Sequence, residues 1–181
     1  MAFIFVGYLP KVIVSPSAEM ALPARVAGVW SVSNCISAAP PAWFERWEHN
    51  RFGAFDTVEG AWSLVPEDTA SAYAMLALRI WHEDRASDGW QPVDFAGIAA
   101  APPPTASTEL LGFDAVNHSG SDAFECSPLS CNGGARECTT NAQCLFATLG
   151  DALAGAEYFA GGGWEPGPYY VVEVSRIQPH G

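Results

Sequence analysis

The sequence predicts an α+β fold, with a mixed or antiparallel sheet of about five or six strands and two main helices packed on it. Three observations lead to this prediction. Short β-rich stretches alternate with two segments of helical periodicity, 41–51 and 149–160. The length of 181 residues suits one domain. Hydrophobic residues make up 49% of the chain and charged residues only 15%, which is typical of a globular protein rather than a disordered one.

The first predicted strand covers residues 3–14 and is interrupted at Pro10. Both of its faces are apolar, so we expect an interior strand. A second β-rich stretch covers 26–32, where a short helix is the alternative.

The first main helix is predicted over 41–51. Pro41 suits its first turn, because a proline there lacks only an N–H that would be unpaired anyway, and Gly53 follows its end. Its apolar stripe is formed by three aromatic residues, Trp43, Phe44 and Trp47. A shorter helix is predicted to run through Trp62, with Asp56 or Thr57 as its cap.

The segment 73–82 fits a helical face and a strand alternation equally well. The turn-rich cluster 83–89 that follows resembles the end of a hairpin arm and favours a strand. Residues 99–108 hold three prolines and no charge, which predicts an extended connector. We therefore expect a single domain, 1–181, whose halves 1–98 and 109–181 this connector joins.

The second half has clearer local signals. A strand is predicted over 110–116, and another over 169–175 from the alternation of its side chains. Between them, Thr148 with Asp151 three residues later forms a capping arrangement for the helix 149–160. A short strand near 144–147 would complete a small α/β unit.

The charge restricts the classes of partner. The net charge is −12, which disfavours a nucleic-acid binder, since such proteins need cations to replace the counterions of phosphate. Residues 52–181 hold seventeen of the twenty acidic residues, so a basic protein partner is one hypothesis and simple solubility is the other. There is no apolar run of membrane-spanning length and no basic segment before the apolar start, which predicts a cytoplasmic protein with no membrane contact.

The cysteines offer the most specific chemistry. Four of the five follow each other with the spacing C-x4-C-x6-C-x5-C: Cys126, Cys131, Cys138 and Cys144. Four thiolates can close a tetrahedral zinc site, although these spacings are longer than the usual knuckles. Cys35 or His118 is a candidate to replace one of the four. Reduced buried thiols and disulfides are the other interpretations of this segment.

A catalytic thiol is the alternative reading of the same segment. Cys131 lies in a Ser-Cys-Asn-Gly-Gly turn, and His118 is a candidate base that Asp114 or Asp122 could orient. A surface turn is the plainer interpretation of His118. The sequence has no phosphate-binding glycine loop, no HExxH and no GxSxG motif.

Two functional hypotheses follow from the sequence. The first is an acidic, cytoplasmic binding module with a cysteine-rich, zinc-stapled loop. The second is a thiol-dependent hydrolase or transferase that uses Cys131 and His118, with Trp164 and Tyr169 lining its pocket.

Overall fold

The computed structural model describes a five-stranded antiparallel sheet with helices beside it. The described residues are 3–17, 20, 22–36, 40, 43, 49–98, 107–118 and 124–178. In chain order the strands are β1 (Phe3–Val12), β2 (Tyr73–Ala86), β3 (Gly89–Pro92), β4 (Thr108–Asn117) and β5 (Tyr169–Ile177). The sheet order is β1-β2-β5-β4, and β3 pairs with β2. This confirms the α+β class and, of the two predicted kinds of sheet, the antiparallel one.

Strand β2 is an interior strand of the sheet, because it pairs with β1 on one side and with β5 on the other. Leu76, Leu78 and Ile80 alternate along it and are completely buried. The strand interpretation of 73–82 is therefore correct, and the two flanking strands decide what periodicity could not. Because β2 belongs to the first half of the chain and β5 to the second, the sheet is built from both halves.

Three α-helices lie in the described part of the chain: α1 (Val58–Trp62), α2 (Pro128–Cys131) and α3 (Leu149–Ala160). Only α3 is longer than seven residues there, so the prediction of two main helices is not confirmed. The helix predicted over 41–51 and the connector 99–108 lie mostly outside the described residues. Trp43 is described, and its indole N–H donates a 3.1 Å hydrogen bond to the carbonyl of Gly53.

Helix α3 begins as the sequence predicts. The Thr148 hydroxyl accepts a 3.2 Å hydrogen bond from the backbone N–H of Asp151, which satisfies one of the unpaired donors of the first turn. The helix packs on the sheet through Gly155, where an added Cβ would lie 2.2 Å from the Phe146 ring. Glycine is therefore required at this contact for steric reasons.

The two remaining predicted β segments, 26–32 and 144–147, each contribute one isolated β-bridge instead of a strand. Val29 pairs with Val14, and Phe146 pairs with Phe113 of β4. Residues 29–36 run onward from the first of these bridges, and the Asn34 N–H donates to the carbonyl of Phe124 at 3.1 Å. This contact brings residues near 35 beside residues near 126, which are distant in the sequence.

Within the described residues, no helix has the length and hydropathy that crossing a bilayer requires.

Candidate metal centre

Three cysteines from two distant segments converge at one place. The Sγ atoms of Cys35, Cys126 and Cys131 all lie within 4.8 Å of one another. Cys35 is exposed, Cys131 is half-buried and Cys126 is buried, so the cluster has an inner side and an outer side. Three thiols at this separation can hold a metal ion. We call Cys35, Cys126 and Cys131 the three-thiol site.

The Asp114 carboxylate joins the two segments that carry these thiols. Its Oδ2 accepts hydrogen bonds from the Ser31 hydroxyl at 2.8 Å and from the Val32 N–H at 3.3 Å. Its Oδ1 accepts a 2.6 Å hydrogen bond from the hydroxyl of Ser127. Asp114 is completely buried, and burial raises its pKa to about 6 although the hydrogen bonds from Ser127 and Ser31 oppose the shift.

Lys11 lies beneath the same region and is 1% exposed. Its ammonium donates to the Ser33 carbonyl at 2.7 Å and to Oδ1 of Asn34 at 3.0 Å, so it holds the two residues that precede Cys35. Burial lowers the pKa of Lys11 to about 7, while the negative charges of Cys131 and Asp114 oppose that change. The site therefore has a buried cation beside its thiols.

Cys131 is the most acidic of the three thiols. Its pKa is lowered to about 5, chiefly because the Cys126 thiol hydrogen-bonds to it. Burial opposes this change, and the Ser33 hydroxyl, which lies 3.5 Å from the sulfur, favours it. The same contact raises the pKa of Cys126, since donation to Cys131 favours its protonated form. Burial raises the pKa of Cys35, with the Cys131 charge as a smaller cause.

On the outer side, Asn132 links the site to the loop before β5. The Cys126 Sγ lies 3.4 Å from Oδ1 of Asn132. The Asn132 amide donates a 3.5 Å hydrogen bond to the carboxylate of Glu165, an exposed residue of that loop.

Of the four cysteines predicted as zinc ligands, the structure brings together only Cys126 and Cys131. Cys138 and Cys144 are not part of the three-thiol site. Cys144 is buried, its thiol lies 3.9 Å from the Leu129 carbonyl, and burial raises its pKa to about 12. Burial also raises the pKa of Cys138, which is half-buried.

The predicted base lies in different surroundings from the three-thiol site. The Nε2 of His118 is 2.9 Å from the Arg51 carbonyl, and because a carbonyl only accepts, this nitrogen carries the proton. The ring packs against the aromatic rings of Phe52, Phe124 and Tyr170. His118 is 7% exposed, so it is a buried residue rather than the surface-turn residue of the plainer interpretation.

The candidate partners of His118 are placed as follows. Both Asp114 carboxylate oxygens are engaged by Ser31, Val32 and Ser127, as described above, and Asp122 lies outside the described residues.

Of the two predicted pocket residues, Trp164 lines an open cavity of about 330 Å³. Tyr169 is completely buried.

Sequence reasoning missed the roles of Lys11 and Asp114. Lys11 is the single lysine of the chain and lies in an apolar segment predicted to be an interior strand. A lone cation in such a strand is the signal that points to a buried, compensated charge. No comparable signal links Cys35 to Cys126 and Cys131, because their proximity depends on the packing of distant segments.

Comparisons of this chain with protein-family models, with curated proteins and with solved structures found no match.

Proposed function

We propose that this protein binds one zinc ion through Cys35, Cys126 and Cys131. The observation that carries the proposal is the convergence of three sulfur atoms, within 4.8 Å of one another, from segments far apart in the sequence. In a tetrahedral zinc site with Zn–S bonds of about 2.3 Å, neighbouring sulfurs are about 3.8 Å apart. The three thiols are therefore at most about 1 Å from ligand spacing, which side-chain rotation can close.

The charges around the thiols support a divalent cation. Three thiolates and one Zn²⁺ leave a single negative charge, which is costly in a half-buried place unless it is compensated. The ammonium of Lys11 is buried beside the segment 33–35 and interacts electrostatically with the thiolate of Cys131. We infer that Lys11 compensates part of the negative charge of the loaded site.

The hydrogen bonds around the ligands support a preformed site. Asp114 binds Ser31 and Ser127 at the same time, so it fixes the spacing of the two ligand-bearing segments before any ion binds. Such outer partners commonly orient metal ligands. In this proposal the ion is structural, because it would fasten residues 31–36 to the segment of α2.

The wider role that we propose is a metal-stapled binding module for a basic protein partner, in a reducing compartment such as the cytoplasm. All five cysteines are free thiols, which suits such a compartment. Exposed acidic side chains of α1 and of the 3-10 helix that follows it offer one acidic surface: Glu59, Glu67 and Asp68. We expect the native chain to bind a lysine-rich peptide with an affinity that falls as the salt concentration rises. The triple variant E59Q/E67Q/D68N should bind this peptide more weakly. Equal binding by the native chain and the variant would contradict this role.

The metal proposal is tested by elemental analysis of protein purified without chelator. We expect about one zinc per chain in the native protein. The variant C35S should lose zinc without unfolding, since Cys35 is exposed, and C126S and C131S should lose it as well. The matched control is C138S, which removes a thiol outside the three-thiol site. Zinc retained by C35S and C131S, or lost in C138S alone, would contradict the assignment.

A second candidate function is a thiol nucleophile at Cys131. One specific observation favours it: the Cys126 thiol and the Ser33 hydroxyl both hydrogen-bond to the half-buried sulfur of Cys131. These contacts stabilise the thiolate, which is the nucleophilic form of cysteine. The test is the reaction of metal-free protein with a panel of activated thioesters and esters. Acylation of Cys131 followed by turnover, absent in C131S, would support an enzyme; no covalent adduct at Cys131 would contradict it.

A further inference from the structure

Glu165 places a carboxylate at the outer side of the three-thiol site. Its Oε1 accepts a hydrogen bond from Asn132 Nδ2, and Oδ1 of the same Asn132 lies 3.4 Å from the Cys126 sulfur. A single side chain thus bridges a thiol of the site and this carboxylate. The pKa of Cys126 is raised chiefly by its hydrogen bond to Cys131 and by burial, and the charge of Glu165 adds to the effect.

The backbone around Glu165 is anchored while its side chain is exposed. The Tyr169 hydroxyl donates to the Glu165 carbonyl, and the Asn117 amide donates to the carbonyl of Pro166 at 3.3 Å. The Glu165–Asn132 contact is 3.5 Å long, at the weak end of hydrogen-bond distances. The carboxylate is therefore held near the site on a fixed backbone, with little to keep it in its present rotamer.

A tetrahedral ion bound by the three thiols keeps one free corner. Asn132 and Glu165 are both exposed, and the charge of Glu165 acts on Cys35 as well as on Cys126, so we expect that corner to face Glu165. A carboxylate oxygen is an ordinary zinc ligand at about 2.0–2.2 Å.

From this arrangement, and resting on the proposed zinc site, we infer that Glu165 supplies the fourth ligand and closes a Cys₃Glu centre. Asn132 then has an outer role, since it contacts both a thiol ligand and the carboxylate. A closed centre of four protein ligands is the structural kind of zinc site, whereas water in the fourth position is the catalytic kind. The identity of this ligand therefore decides between the two kinds.

The inference is tested with the full chain and two substitutions at one position. Glu165→Gln keeps the size and the hydrogen bond to Asn132 but removes the charged ligand, and Glu165→His supplies a different ligand. Asp88→Asn is the matched control, because Asp88 is an exposed acidic residue in the turn between β2 and β3. Zinc affinity is measured by competition with a chromophoric chelator, and Co²⁺ reports the coordination sphere by its visible spectrum.

We expect E165Q to bind zinc about 100-fold more weakly than the native chain, which is the upper end of what even outer partners contribute. E165H should recover affinity to within about tenfold, because it restores a ligand rather than a charge. The sulfur-to-cobalt absorption should keep its intensity in all variants, since the three thiolates remain, while the d–d bands shift in E165Q and E165H. D88N should behave as the native chain.

The failures of the two claims are distinguishable. If the native chain binds neither Co²⁺ nor zinc, the proposed metal site itself is wrong. If the native chain binds both and E165Q binds as tightly with the same spectrum, the three-thiol site stands and the role of Glu165 is overturned. Weak binding by E165Q that E165H does not recover also overturns it, because the carboxylate then acts only through its charge.

Discussion

The Ser127 hydroxyl donates a 2.6 Å hydrogen bond to the carboxylate of Asp114, on the opposite oxygen from the one that Ser31 binds. One buried carboxylate on β4 thereby holds both segments that carry the three-thiol site. The arrangement has an electrostatic cost, because Asp114 is completely buried. That cost is measurable as a dependence of stability on pH.

Replacing Asp114 with Asn should remove this pH dependence. The pKa of Asp114 is raised from 3.8 to about 6, chiefly by burial. A carboxyl with a raised pKa stabilises the fold fully below its unfolded pKa, and this contribution is lost as the pH rises through the folded value. The free energy of unfolding of the metal-free native chain, relative to D114N, should therefore fall by about 3 kcal/mol between about pH 3 and pH 8.

Denaturant unfolding across this pH range measures the difference, with the exposed residue of D68N as the control. A native-minus-D114N difference that stays flat with pH, or that rises, would contradict the raised pKa of Asp114.

Lys11 should resist chemical modification in the folded protein. Its lowered pKa, about 7, favours the reactive neutral amine, but its 1% exposure denies access to the reagent. Burial should dominate, because acylation requires the reagent to reach Nζ. We expect an amine-reactive ester at about pH 8 to label this single lysine at least about 100-fold more slowly in the native chain than in urea, as local opening limits the rate. Peptide mass spectrometry provides the readout, and similar labelling rates in both states would show that Lys11 is accessible.

Cys131 should be the first thiol to react in the metal-free protein at about pH 6. With a pKa of about 5 it is mostly thiolate there, whereas the pKa of the more exposed Cys35 is raised above its ordinary value. The rate of carboxamidomethylation at each cysteine is read by mass spectrometry. S33A should slow the reaction of Cys131 at this pH, because it removes a donor to the thiolate. Faster reaction of Cys35 than of Cys131 would contradict the assigned order.

Two glycines of α3 should respond oppositely to alanine. At Gly155 an added Cβ would lie 2.2 Å from the buried ring of Phe146, so G155A should destabilise the protein by about 2 kcal/mol. At Gly150 the nearest atom, the Thr148 hydroxyl oxygen, would be 3.8 Å away, so G150A should stabilise it by about 0.5 kcal/mol through helix propensity. Urea unfolding of both variants tests the packing of α3, and equal effects would contradict it.

The sequence predicted those elements whose signals are local. The Thr148 cap and the apolar face of 149–160 lie within the helix itself, and the alternation over 169–175 lies within its own strand. The segment 73–82 was ambiguous in periodicity because β2 is buried between two strands, so its environment rather than its pattern decides its structure.

The site could be predicted only in part, for a similar reason. Cys126 and Cys131 are close in the sequence, but the spacing rule also selected Cys138 and Cys144, which do not belong to the three-thiol site. Cys35 joins the site through long-range contacts, among them the hydrogen bond from the Asn34 N–H to the Phe124 carbonyl. Contacts of this kind depend on how distant segments pack, and no pattern of neighbouring residues encodes them.

The most direct test of the central claim is cysteine-by-cysteine protection by zinc. The full chain is alkylated with and without a zinc-selective chelator, and each of the five cysteines is quantified by mass spectrometry. The account predicts that zinc protects Cys35, Cys126 and Cys131, while the reactivities of Cys138 and Cys144 do not change with the metal. Protection of Cys138 and Cys144 together with Cys126 and Cys131, or no difference at any cysteine, would contradict it.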